Sequence, residues 1–164
     1  MVHWLYLMRH AQSADKQHSQ QDKDRELTTS GMREAATVGH FLKKNNYTVD
    51  LIVSSGAQRA KATATVIHGI LNLPSEIVIN EELYNASIRN LMQITTGLDD
   101  DFKNILIIGH NPYISYFAEH LTKAEIGAME TAGLVSIRFE ISNWLEVSED
   151  IGTFENYVHP SIIE

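Results

Sequence analysis

The chain has 164 residues, of which 43% are hydrophobic and 21% charged, with a formal net charge of −8 at pH 7. These values are ordinary for a soluble globular protein, and the length predicts one domain over residues 1–164. The acidic balance argues against non-specific binding to nucleic acid, which requires a basic face. The sequence holds no cysteine, which excludes disulfides, thiolate metal sites and cysteine nucleophiles. Since no apolar run is long enough for a membrane span and no secretory signal pattern is present, we expect a cytoplasmic protein without a membrane partner.

Strand-like and helical patterns alternate along most of the chain. Apolar runs typical of strands lie at about residues 3–8, 51–55, 77–79 and 105–108. Apolar residues recur at helical spacing over about 30–45, 57–71, 87–97 and 112–121. The last third differs, because residues 134–139 alternate and a further extended segment lies near 152–157, which predicts an antiparallel hairpin. The element order predicts an α/β sandwich with mainly parallel strands.

Histidines and arginines follow three of the predicted strands. Arg9 and His10 end the first run, Arg59 follows the second, and Gly109-His110 ends the run at 105–108. The carboxyl ends of parallel strands form the edge where α/β folds bind ligands, so these side chains could share one rim. The pattern favours phosphoryl transfer through a phosphohistidine, because arginine suits phosphate and neutral histidine can attack phosphorus. A purely structural role for each histidine, taken singly, stays open.

Each of these side chains has a predicted role in such a reaction. His10 is the candidate nucleophile, with one ring nitrogen held by a backbone carbonyl and with flanking arginines that disfavour the imidazolium. Arg9 and Arg59 would clamp the phosphoryl oxygens, Arg59 from the first turn of a helix whose amino end already favours an anion. His110 would complete the cradle, either protonated or as an N–H donor.

Three segments resemble the signature of the histidine phosphatase superfamily: Arg9-His10, Ser54-Ser55-Gly56-Ala57-Gln58-Arg59-Ala60 with Thr63, and Gly109-His110. The short chain and the run Arg25-Glu26-Leu27-Thr28-Thr29-Ser30-Gly31 resemble its SixA-type phosphohistidine phosphatases. The resemblance covers residues 3 to about 140. It implies a three-layer α/β/α sandwich of the phosphoglycerate mutase-like kind, with a mostly parallel sheet and an antiparallel C-terminal edge. It also implies a metal-independent phosphohistidine phosphatase of signal transduction, with no cofactor.

The resemblance also bears on Arg25 and Ala11. Arg25 is expected to make a further phosphate or substrate contact, with a surface arginine at the helix entrance as the alternative. Ala11 stands where the family motif has glycine, and its additional methyl group is expected to tighten the pocket floor slightly.

The sequence is less informative about a proton donor. Larger members of the superfamily carry an acid after the fourth strand, and Glu82 is the candidate here, although Glu81 and Glu82 could equally form a solvated turn. An alkyl phosphate leaves as a poor alkoxide, so an acid there contributes roughly 10²–10⁴-fold, whereas a phosphohistidine leaves as imidazole and needs little help. A weak or absent acid therefore fits a phosphoramidate substrate better.

The first loop, residues 11–26, is polar and too long for a tight connection, which is typical of functional or mobile loops. Within it, residues 16–24 are predicted to be a solvated segment without a role. The remaining histidines lack metal-ligand spacing, so no metal site is expected.

Three functions stay open at this point. The first is a phosphatase acting on protein phosphohistidine, for example on a histidine phosphotransfer domain. The second is a small-molecule phosphomonoesterase of the same superfamily, and the third is a weakly active member that binds phosphorylated partners, which Ala11 suggests. The chain has little spare length for a lid over the site, and an open site favours a protein substrate.

Overall fold

The computed structural model describes residues 1–163, which form one six-stranded sheet and four α-helices. The strands are β1 Val2–Arg9, β2 Leu51–Ser54, β3 Val78–Ile79, β4 Asn104–Gly109, β5 Leu134–Glu140 and β6 Thr153–Val158. The helices are α1 Thr29–Lys44, α2 Gln58–Leu71, α3 Ile88–Thr96 and α4 Tyr113–Thr122. Every strand and helix that the sequence predicts is present, with bounds that differ by a few residues at most.

The strands are ordered β3-β2-β4-β1-β5-β6 across the sheet. The pairs β2–β3, β2–β4 and β1–β4 are parallel, whereas β1–β5 and β5–β6 are antiparallel. The prediction of a mostly parallel sheet with an antiparallel C-terminal edge is confirmed. Strand β1 lies between β4 and β5, so its carboxyl end is near the middle of the sheet edge.

Alternate side chains of the central strands pack into two separate apolar cores. Leu5 and Leu7 of β1 belong to the core that α3 and α4 cover, while Tyr6 and Met8 belong to the core under α1 and α2. This alternation is the period of two that a strand imposes, and burial on both faces explains why β1 and β4 are almost continuously apolar. The predicted three-layer α/β/α sandwich is confirmed.

Strand register determines what stands at the carboxyl edge of the sheet. Arg9 pairs with Gly109, so His10 and His110 follow directly after the last paired positions of β1 and β4. The His10 N–H donates to the Gly109 carbonyl at 3.1 Å, which extends the ladder by one residue. The two histidines therefore leave the sheet side by side, on backbone that the sheet holds rigid.

The helices of the described residues, 1–163, include none that is long and apolar enough to cross a membrane.

Candidate active site

A cleft of about 390 Å³ opens at the carboxyl edge of the sheet. Three strand ends and the first loop contribute to its walls, which comprise Arg9, His10, Gln12, Ser13, Asp22, Arg25, Arg59, Tyr84, Asn85, His110, Asn111 and Thr131. The structure thus brings together five of the six residues that the sequence singles out. The sixth, Glu82, does not line the cleft.

His10 presents one free ring nitrogen to the cleft. Its Nδ1 lies 2.7 Å from the backbone carbonyl oxygen of Ala11, so this nitrogen carries the proton and donates it, as the sequence predicts. Its Nε2 is left unprotonated and accepts a hydrogen bond from Arg59 Nε at 3.3 Å. Burial lowers the pKa of His10 to about 4, and the charges of Arg59 and Arg9 act in the same direction, while the bond to Ala11 opposes them. The ring is therefore neutral at pH 7, as a nucleophile requires.

Arg59 stands in the first turn of α2, where the sequence places it, and the residue is only 6% exposed. While Nε faces His10, the two terminal nitrogens donate to Asp22: Nη1 to its backbone carbonyl at 2.8 Å and Nη2 to its carboxylate at 3.0 Å. The outer edge of the guanidinium is thus held in place, and the inner edge stays directed at His10.

Asp22 is a site residue that the sequence analysis missed. Its carboxylate accepts hydrogen bonds from Arg59, from Arg25 Nη1 at 2.9 Å and from the Tyr84 hydroxyl. The Tyr84 hydroxyl, followed by the two arginines, holds the pKa of this carboxyl well below its usual range. The prediction that residues 16–24 lack a role is therefore wrong at Asp22. A polar loop shows no periodicity, and the one available signal was an acidic residue three positions before Arg25.

Arg25 lines the cleft, but all three of its nitrogens donate to the first loop. Nε donates to the Ala14 carbonyl at 2.9 Å, Nη1 to Asp22, and Nη2 to Ser13 Oγ at 3.0 Å. These bonds fold the loop back over the cleft and place Asp22 against Arg59. A direct contact of Arg25 with substrate stays a prediction.

His110 lies beside His10, with 5.1 Å between the ring centroids. Its Nε2 is 2.8 Å from Ser55 Oγ, which also accepts the Ala57 N–H at 3.2 Å. The Ser55 hydroxyl can donate its proton to Nε2, and in that arrangement the His110 proton lies on Nδ1. Burial lowers the pKa of His110 to about 3, with His10 and Arg59 acting in the same direction. Of the two predicted forms of His110, the structure favours the neutral N–H donor.

Arg9 reaches the cleft from the end of β1. Its Nη1 donates to the Met129 carbonyl at 2.9 Å, and Asn111 Nδ2 donates to the same oxygen at 2.9 Å. Within residues 1–163, the Nη2 of Arg9 makes no hydrogen bond to protein. A guanidinium beside His10 whose Nη2 can still donate hydrogen bonds suits an anionic group in the cleft.

Ala11 is fully buried, and its methyl group belongs to the core under α1 and α2 rather than to the cleft wall. The expectation of a tighter pocket floor is therefore wrong. Its backbone lies outside the left-handed region, so alanine is unstrained there. Its N–H donates to Thr63 Oγ1 at 3.0 Å, which ties the turn after β1 to α2.

Glu82 is exposed on a 3₁₀ turn, Glu81–Leu83, where its N–H donates to Asn80 Oδ1 at 2.9 Å. The neighbouring Glu81 pairs with Lys23. This is the solvated turn that the sequence left open as an alternative. In the part of the chain that the structure describes, no three His, Asp or Glu side chains cluster closely enough to hold a metal ion.

Comparisons with protein families, protein sequences and solved structures give similarities that agree with one another. A family model described as the histidine phosphatase superfamily, branch 1, matches residues 5–98. An uncharacterized protein of Mycobacterium tuberculosis is 31% identical over 135 residues, which are 82% of either chain. The protein histidine phosphatase SixA, solved in complex with tungstate, has a TM-score of 0.82 and 25% identity, covering 96% of this chain and 97% of that one. A mycobacterial glucosyl-3-phosphoglycerate phosphatase shares the fold with a TM-score of 0.66 and 17% identity, covering 94% and 98%.

The lowered pKa values of the two cleft histidines predict that neither ring takes up a proton between pH 8 and 5.5. Imidazole NMR resonances of His10 and His110, assigned with single glutamine variants, should stay nearly constant over this range. A midpoint between pH 6 and 7 for His10 would contradict the neutral nucleophile.

The same shifts predict a loss of folding stability in acid. Because the unfolded chain binds protons at about pH 6.5 that these buried rings bind only near pH 4 and 3, the free energy of unfolding should fall as the pH drops below 6.5.

Asp22→Asn is predicted to lower kcat/KM for phosphoramidate by about 10–100-fold, because an amide holds the guanidinium of Arg59 less firmly and small misplacements are costly in catalysis. Asp24→Asn is the matched control, since Asp24 is exposed in the same loop and does not line the cleft. Steady-state kinetics of both variants, with thermal unfolding as a check on the fold, measure the effect. Equal kinetics for the two variants would show that Asp22 does not position Arg59.

Proposed function

Since this chain belongs to the histidine phosphatase superfamily, in its SixA-type branch, we propose that it is a phosphatase whose substrate is a phosphohistidine carried by a protein. The proposed partner is a histidine phosphotransfer domain, and a role in cytoplasmic signal transduction is part of the same proposal. The SixA structure that superposes on this chain is described as that of a protein histidine phosphatase, which supports the proposal.

The proposed reaction has two steps. The Nε2 lone pair of His10 attacks phosphorus, the P–N bond of the substrate breaks, and the substrate imidazole leaves with a proton from solvent. Water then attacks the phosphoryl group on His10, the second P–N bond breaks, and phosphate leaves while the His10 ring returns to its neutral form. Arg9 and Arg59 would hold the phosphoryl oxygens in both steps, and the N–H of His110 would donate to them as charge develops.

The proposed choice of substrate depends on one observation: the cleft offers no effective acid for the leaving group. Asp22 is the one carboxylate among the described residues that line the cleft, and Tyr84, Arg25 and Arg59 hold it ionised. Glu82 does not line the cleft. An alkoxide would leave without the proton that it needs, whereas an imidazole leaves readily. The cleft is thus better suited to phosphohistidine than to an alkyl phosphate.

A small-molecule phosphomonoesterase is the second candidate. It is favoured by the fold that this chain shares with glucosyl-3-phosphoglycerate phosphatase. The third reading, a weakly active phosphate-binding member, depended on Ala11, and it loses that support because the Ala11 side chain does not reach the cleft.

Phosphoimidazole is predicted to have a kcat/KM at least tenfold above that of an alkyl phosphate of similar size. Glu82→Gln should leave both values within about twofold of the wild type, because the side chain lies outside the cleft, and Glu81→Gln is the matched control. Ratios taken on one enzyme preparation cancel any loss of active protein. If alkyl phosphates are favoured tenfold or more and Glu82→Gln removes that advantage, Glu82 is a general acid and the small-molecule candidate is correct.

A further inference from the structure

A second cleft, of about 270 Å³, adjoins the catalytic cleft and shares Tyr84, Asn85, His110 and Asn111 with it. Its other walls are apolar or backbone: Leu83, Ala86, Leu91, Gly109, Pro112, Tyr113 and Ile114. We call it the side-chain cleft. The proposed reaction makes no use of it, although one face of His110 borders it.

The side-chain cleft is rigid and lacks charge. Leu83, Ala86, Leu91 and Ile114 are each at most 6% exposed, so the packing of the core fixes their positions. No Asp, Glu, Lys or Arg side chain of residues 1–163 lines it, whereas three arginines line the catalytic cleft beside it. A preformed uncharged cavity with apolar side chains on the side away from the arginines suits a ligand with an apolar group close to a phosphoryl group.

An exposed aromatic pair extends the apolar surface outward from the side-chain cleft. Tyr113, at the rim, is 45% exposed, and Tyr116, outside both clefts, is 49% exposed, with their rings edge to face at 5.7 Å. Exposed tyrosines of this kind are enriched at protein interfaces. A small leaving group would end inside the cleft and leave Tyr116 uncovered, so the continuity of the surface indicates a protein occupant.

The two clefts are direct neighbours, because His110 lines both of them. Groups bound in the two clefts would therefore lie on either side of the His110 ring. On a helix, a residue three or four positions from a phosphohistidine has its Cβ about 5–6 Å away. A helix that delivers its phosphohistidine to His10 would therefore bring such a neighbour to the side-chain cleft.

We propose that the side-chain cleft binds an apolar side chain three or four residues from the phosphohistidine on a helix of the protein substrate, while Tyr113 and Tyr116 contact the surface around it. The inference rests on the proposed function for the phosphoryl end of that substrate. Apart from His110, the residues to which it assigns substrate selection take no part in the proposed chemistry.

The test uses two helical peptides that carry one phosphohistidine and differ only in having leucine or serine four residues away on both sides. The wild type should turn over the leucine peptide with a kcat/KM about tenfold higher, through a lower KM. Ala86→Leu, which fills the side-chain cleft, should bring the ratio close to one. Leu145→Ser is the control, because Leu145 is 75% exposed and lines neither cleft, and its ratio should equal that of the wild type.

A ratio near one in the wild type, or an unchanged ratio in Ala86→Leu, would overturn the inference. The wild-type ratio decides the matter even if Ala86→Leu fails to fold. Turnover of phosphoimidazole tests the proposed function by itself, without the side-chain cleft. If the enzyme does not turn over phosphoimidazole, the proposed function fails. The same two peptides with a stable phosphohistidine analogue, measured by fluorescence anisotropy, would then still test the side-chain cleft by their relative affinities.

Discussion

The hydrogen bond from His10 Nδ1 to the carbonyl of the next residue, Ala11, is the interaction on which the site depends. It fixes the tautomer, so that the lone pair of Nε2 faces the cleft. Burial keeps the ring neutral, and the charges of the three nearby arginines act in the same direction, although the bond to Ala11 itself favours the protonated ring. The bond and the burial both depend on the sheet, because the His10 backbone continues the ladder of β1 with β4 and cannot rotate freely. The proposed nucleophile is thus set in place by the fold, before any substrate arrives.

Asp22 resolves an electrostatic problem that the composition poses. A chain with a net charge of −8 must still attract an anionic phosphoryl group. In addition, the three arginines that line the cleft repel one another. One carboxylate bridging Arg25 and Arg59 at the outer edge of the cleft neutralises part of their repulsion. It leaves the inner edge of Arg59 directed at His10. The same bridge makes the carboxylate too weak a base to carry a proton, which restricts the chemistry that the cleft can support.

The strands and helices could be predicted from local patterns. The grouping of Arg9, His10, Arg59 and His110 at one sheet edge could be predicted from the strand ends together with the resemblance to the histidine phosphatase superfamily. Period-two and helical spacing predict the elements, and apolar runs that end in Arg9-His10 and Gly109-His110 indicate the sheet edge where a site forms. Asp22 and Tyr84 could not be predicted in this way. Their contact spans 62 positions and depends on how Arg25 folds a polar loop, which no periodicity encodes. The direction of the Ala11 methyl group likewise depends on tertiary packing against α1 and α2, and the motif that contains Ala11 does not reveal it.

The central claim is that the phosphoryl group passes through Nε2 of His10. The direct measurement is to mix the enzyme with excess phosphoimidazole, quench with base within milliseconds, and locate the phosphoryl group by peptide mass spectrometry and ³¹P NMR. The account predicts a single base-stable, acid-labile phosphohistidine at His10, bonded through Nε2, that forms and decays as fast as turnover. Phosphate trapped at another residue, or full turnover by His10→Ala, would contradict it.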